Sequence, residues 1–136
     1  MPEAQKEDVV MGESMHGEDP VAPVDASEFR DPEKIIILPG ASEDGTAASF
    51  QIKNEDHTLG NSLRYMIMKN PDVEFCGYSI PHPSEAKLNI RIQTYGDITA
   101  VQALHKGLND LVDMCDHVAD VFRDRMTRDD YTQIDE

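Results

Sequence analysis

Basic residues are scarce in this chain of 136 residues. Twelve Lys and Arg stand against 27 Asp and Glu, a formal net charge of −15 at pH 7. Nucleic-acid binding needs clustered cations, because counterion release supplies most sequence-independent affinity. The densest basic run, Arg123-Asp124-Arg125-Met126-Thr127-Arg128, is diluted by acid, so no direct nucleic-acid contact is expected. Long apolar runs are missing as well. The longest, Ile35-Ile36-Ile37-Leu38, falls far short of the ~20 residues of a membrane span, so no membrane contact is expected. Cysteine is limited to Cys76 and Cys115, with no Cys-x-x-Cys pair, and MPEAQKEDVVMG holds no apolar secretory core. Two isolated thiols without such a leader are expected of a reduced intracellular compartment.

Catalytic groupings are equally thin. His16, His57, His82, His105 and His117 are dispersed. Asp113, Cys115, Asp116 and His117 form the one cluster with ligand-capable atoms, but zinc sites favour Cys/His pairs in tighter frameworks, and no metal is expected. Ser42, Ser62 and Ser84 lack a neighbouring base in any recognisable motif, and no glycine-rich phosphate loop is present. Acidic pairs such as Glu43-Asp44 and Asp129-Asp130 follow from an acidic composition and carry no catalytic weight. The chain is therefore expected to need no cofactor and to have no catalytic residues of its own.

What is present divides the chain. Residues 1–33 hold ten Asp and Glu against Lys6 and Arg30, with scattered Pro and Gly and no apolar period. Such a segment buries too little surface to offset its ordering entropy and is expected to be a disordered acidic tail. Residues 34–126 are expected to be one folded domain, and 127–136 a polar C-terminal tail. Strands are expected at Ile35 to Leu38, around Phe50 and Ile52, from Val73 to Ile80, and over Leu88, Ile90 and Ile92, where apolar and polar residues alternate cleanly. Both faces of the third strand are mixed, which leaves its buried side open, and Gly77 marks a bulge or a close approach.

A short helix fits about Thr58 to Lys69. Asp56 or Thr58 can serve as N-cap, Leu59, Leu63, Met66 and Ile67 form one apolar stripe, and Asn70-Pro71 ends it. Gly60 in its first turn, where Ala would be better by roughly 1 kcal/mol, suggests that another backbone or subunit comes close. His57 reads most simply as a half-exposed loop histidine beside the helix start.

The last helix carries the main physical argument. Asp97 is its expected N-cap. Val101, Leu104, Leu108, Leu111, Cys115, Val118 and Phe122 are spaced alternately three and four apart, with Ile98, Val112 and Val121 widening the seam. From Asp97 to about Arg125 the helix would be roughly 43 Å long, whereas a four-stranded sheet is only about 15–20 Å wide. The seam outruns its own sheet and needs a second polypeptide. A homodimer, a heterodimer or a free-standing adapter docked on an unrelated helix would each satisfy the spacing.

The tract DHTLGNSLRYMIMKNPDVEFCGYSIPHPSE, Asp56 to Glu85, resembles the signature of the smaller alpha-like subunits of DNA-directed RNA polymerases, relatives of the archaeal subunit L and of the bacterial alpha dimerisation domain. Tyr65 to Gly77 is most similar to the form shared by eukaryotic polymerases I and III, with the polymerase II counterpart the near alternative. The resemblance runs from about Lys34 to about Phe122. It implies an α+β fold of two layers, a small antiparallel sheet in the order β-β-α-β-β-α, with both helices on one face and the long helix forming a dimer seam. It implies a non-catalytic assembly subunit that heterodimerises with the larger alpha-like subunit and docks the second-largest subunit, in the nucleus including the nucleolus. Leu59, Leu63, Met66 and Ile67 would join the heptad residues in the subunit interface, and Asn61 and Arg64 would face a large subunit.

Overall fold

Alternating side chains build the sheet, and one break in the alternation shapes its edge. The structure, a computed structural model, describes residues 30–134. The elements are β1 (Ile35–Ile37), β2 (Ala47–Lys53), α1 (His57–Met68), β3 (Val73–Ser79), β4 (Lys87–Thr94) and α2 (Ala100–Thr127), the expected α+β order. The strands form one antiparallel sheet in the order β1-β2-β4-β3. Up to residue 29, the acidic segment expected to be disordered lies outside the described residues. Its last part is tied to the domain where Glu33 pairs with Lys53 at 2.9 Å, while Asp31 Oδ1 accepts from the Glu33 N–H at 2.9 Å within the segment itself.

Ala48, Phe50 and Ile52 of β2 and Leu88, Ile90 and Ile92 of β4 point to one face and are buried there. The opposite face carries Ala47, Ser49, Gln51 and Lys53, paired in register with Gln93, Arg91, Asn89 and Lys87. On β3 the register shifts between Val73 and Phe75. That bulge puts Val73 and Cys76 inward although they are an odd number of residues apart, so no strict period could reveal the buried side. After it, Phe75, Gly77 and Ser79 lie opposite Gln93, Arg91 and Asn89 on the outer face.

Both helices cover the inner face. α1 lies over β3 and β4, and α2 over β4 and β2, while β1 at the edge leaves its three isoleucines exposed. Asp56 caps α1, its Oδ1 accepting from the Thr58 N–H at 2.9 Å. That bond holds the Asp56 carboxyl below the usual carboxylate range. His57 opens the helix rather than sitting in a loop, and its Nδ1 lies 3.0 Å from the Tyr78 hydroxyl, tying α1 to β3. At Gly60 a Cβ would stand 2.7 Å from the Tyr78 ring and 2.9 Å from Leu88. The close approach inferred there is therefore made by side chains of the chain's own β3 and β4, not by a backbone or another subunit.

The start of α2 also differs from expectation. Thr99, not Asp97, is the N-cap: its hydroxyl accepts from the Gln102 N–H at 3.2 Å, and Gln102 Oε1 accepts from the Thr99 N–H at 2.9 Å. This reciprocal box satisfies two otherwise unpaired donors, which a lone Asp97 placed two residues earlier would not.

Candidate functional site

α2 spans 28 residues, about 42 Å of helix. Its first three turns are bound into the domain. Ala100, Ala103, Leu104 and Gly107 are buried, with Leu108 and Leu111 packed at the margin of the core. The small residues set the distance between the helices. A Cβ at Gly107 would stand 2.4 Å from Ile67 Cγ1 of α1, so only glycine lets the two helices meet this closely.

The same face continues past Leu111 with nothing over it among the described residues. Met114, Cys115, Val118, Val121, Phe122 and Met126 follow at helical spacing and are all exposed, Val118 by 60% and Phe122 by 66%. Two shallow hollows indent this ridge. One is lined by Met114, Cys115, Val118, Ala119 and Phe122, the other by His117, Val118, Val121, Phe122 and Arg125. Polar residues occupy the far side of the helix and pair along it, as Arg123 with Asp120 at 3.2 Å and Arg128 with Asp124 at 3.2 Å. A long amphipathic helix with its second half bare on the apolar side is what a subunit-binding module presents.

The interface residues expected from the sequence fall into three groups. Leu63, Ile67 and Leu104 are 0%, 0% and 5% exposed inside the chain's own core, so they offer no surface to a partner and that expectation is corrected. Their apolar period was legible, but a period does not say which surface covers it. Leu59, Leu108 and Leu111 are partly buried against the core, and Met66 is half-buried. Val101, Cys115, Val118 and Phe122 are exposed. Val101 stands on the flank of the helix, since Ala100 and Ala103 take the inward positions.

Met114 and Met126 complete the ridge and were missed. They stand three residues after Leu111 and four after Phe122, the same spacing that marked the rest. Asn61 and Arg64 lie on the outer side of α1, where Arg64 donates to Asn61 Oδ1 at 3.3 Å beside the exposed Tyr65 and Met68. Among the described residues, no group of three or more His, Cys, Asp and Glu is placed to hold a metal ion. Of the two thiols, Cys76 is buried and pushed up to about 11 by that burial, while Cys115 is exposed on the ridge.

A small sheet backed by two helices, the longer of them half bare, defines a class: an α+β dimerisation module. Residues 47–121 match the family model described as the RNA polymerase Rpb3/Rpb11 dimerisation domain, and the chain belongs to that family. It is 65% identical over 103 residues to the DNA-directed RNA polymerases I and III subunit RPAC2 of Schizosaccharomyces pombe, covering 76% of this chain and 82% of that protein. It is 71% identical over 97 residues to the subunit of the same name from Saccharomyces cerevisiae, covering 71% and 68%. The crystal structure of DNA-directed RNA polymerase subunit L from Thermoplasma acidophilum shares the fold, with a TM-score of 0.59 at 18% identity over 74% of this chain and 96% of that one.

Proposed function

We propose that this chain is the smaller alpha-like subunit of RNA polymerases I and III, an assembly subunit that contributes binding and no catalytic group. One observation carries the reading: the bare apolar half of α2 lies on a dimerisation-domain fold whose relatives are named as polymerase I and III subunits. The partner is the larger alpha-like subunit of the same polymerase. The pair then receives the second-largest subunit, with Asn61 and Arg64 on the outer side of α1 as the contact. An enzyme of these classes makes ribosomal RNA precursor, 5S RNA and transfer RNA, which puts the chain in the nucleus and, with polymerase I, in the nucleolus.

Magnitudes support more than one point of contact with the partner. Burying a large apolar side chain is worth about 1.5–3 kcal/mol when it starts fully exposed. The ridge side chains start only about half exposed, so covering them yields on the order of 10 kcal/mol gross. Association itself costs about 4–15 kcal/mol. The ridge alone makes a marginal complex, and Val101 and Val112 on its flank, 45% and 59% exposed, are the nearest additional surface. Residues 1–33 serve as an acidic spacer in this reading, and the ordered domain does the binding.

Affinity purification of the tagged chain from cells, with co-purifying proteins identified by mass spectrometry, tests the reading. Recovery of the large subunits of polymerases I and III is the expected result. Recovery of polymerase II chains would reassign the class, and a homodimer or an unrelated helical protein alone would remove the reading.

A further inference from the structure

The outer face of the sheet has a chemistry unlike the rest of the chain. Its paired positions on β2 and β4 include no Asp or Glu, in a protein of net charge −15, and the one acid of β3 is Glu74, exposed at the bulge before Phe75. Lys53 and Lys87 at one end are paired with Glu33 and Glu85 at 2.9 and 3.7 Å. Arg91 differs from both. It is half-buried in the middle of β4, donates to Ser49 Oγ at 3.2 Å, and has no carboxylate within ion-pair distance among the described residues. An arginine presents five N–H donors in a planar fork, so most of its donors remain for a ligand.

The surroundings of Arg91 form a shallow groove of about 420 Å³, running from Leu38 beyond β1 to Phe75 on β3, with Ser49 and Asn89 along it. Phe75 is 47% exposed, and its ring covers Gly77, the residue opposite Arg91 in the register. A Cβ at Gly77 would stand 2.8 Å from that ring, so the glycine is what allows the ring to lie against the sheet. A guanidinium with no acidic partner among the described residues thus lies between two apolar walls, on the side of the sheet opposite α2.

We infer that this groove is a second docking surface, which takes a carboxylate-bearing segment of another polypeptide of the polymerase. An Asp or Glu of that segment forks onto Arg91, and its apolar neighbours rest on Phe75 and Leu38. The inference rests on the reading that the chain works inside a polymerase. It deepens that reading by giving the module a face for a third chain that stays open when the α2 ridge is covered. Charge selects the occupant. Nucleic acid is held by several cations along its phosphates, and the groove offers one on an acidic chain. A second copy of this chain would bring a like net charge. A single carboxylate between apolar side chains matches both the fork and the walls, and Arg and aromatic residues are the types enriched where protein surfaces bind.

The test is affinity capture of the tagged full chain from cells as wild type, Arg91→Glu, Arg91→Lys and Ser49→Ala, with every co-purifying chain quantified and each variant's thermal midpoint measured. Arg91→Glu is expected to keep the larger alpha-like subunit at wild-type level and to lose one other polymerase chain by about tenfold or more. Arg91→Lys should restore much of that chain, and Ser49→Ala, which leaves the charge in place, should retain it. Full recovery of every chain by Arg91→Glu overturns the groove and leaves the assembly reading standing. Equal losses with Arg91→Glu and Ser49→Ala, accompanied by lowered midpoints, give Arg91 a structural role and overturn it too. Loss of bound nucleic acid with all chains retained assigns the guanidinium to phosphate and has the same consequence. A wild-type chain that captures no polymerase subunit sinks the assembly reading first, and the groove with it.

Discussion

The two halves of α2 share one face and one spacing but differ in what they are made of. Ala100 to Leu111 places small residues inward, and Ala100, Ala103 and Gly107 let the helix press against α1 and the sheet. From Val112 to Thr127 the same face is built of Met114, Val118, Val121, Phe122 and Met126, all exposed. Within the chain, the distance between helix and sheet is fixed by the backbone, and the side chains must be small enough to respect it. Beyond the chain's own core, large and adaptable side chains, methionine among them, can fill a partner's surface. The contrast separates intramolecular from intermolecular packing along a single helix.

The strongest way to break this comparison is to place a charge on each half. Val118→Asp together with Phe122→Asp should abolish capture of the partner, because an unpaired charge in a closed seam costs several kcal/mol. The urea midpoint of the isolated chain should not move, since both side chains are exposed there. Leu104→Asp should instead remove the fold itself, seen as loss of cooperative unfolding. Retained capture by the double variant would place the partner elsewhere.

Ile67→Ala should cost about 2–5 kcal/mol in urea unfolding, as expected of a fully buried side chain. Gly107→Ala should cost about 1–3 kcal/mol through its clash with Ile67 Cγ1. The double variant should be more stable than the sum of the two, because removing Ile67 Cγ1 relieves the clash. Additive losses would show that the helices do not touch at this point.

Thiol labelling sharpens the same contrast. Cys115 should react with a maleimide in the isolated chain and be protected in the complex. Cys76, buried with its thiol pushed up to about 11, should stay unreacted in both. The smallest effect concerns a helix end. Asp56→Ala should lower the urea midpoint slightly through loss of the α1 cap. The carboxyl is held lower in the folded than in the unfolded state. Its contribution is therefore complete above the unfolded value of about 3.9 and is lost as pH falls through the folded value. Asp56→Asn should flatten that part of the acid limb of a stability-against-pH curve.

Much of this architecture was legible in the sequence, for identifiable reasons. Leu88, Ile90 and Ile92 alternate without a break, so β4 and its inward face could be read directly. β3 could not be read in this way, because the bulge after Val73 shifts which residues point inward. The apolar stripe of α1 was visible, but periodicity cannot distinguish the chain's own sheet from a partner, and Leu63 and Ile67 turned out to face the sheet. Ala103 and Gly107 were overlooked because a search for large apolar residues ignores the small ones that permit close packing. The exposed half of the ridge was readable from length alone, since about 42 Å of helix exceeds the width of four strands.

Photo-crosslinking from position 118, in the complex purified from cells, tests the central claim most directly. A crosslinking residue replacing Val118 should attach to a second polypeptide, identified by mass spectrometry as the larger alpha-like polymerase subunit. Crosslinks confined to this chain itself, with the complex intact, would contradict the account.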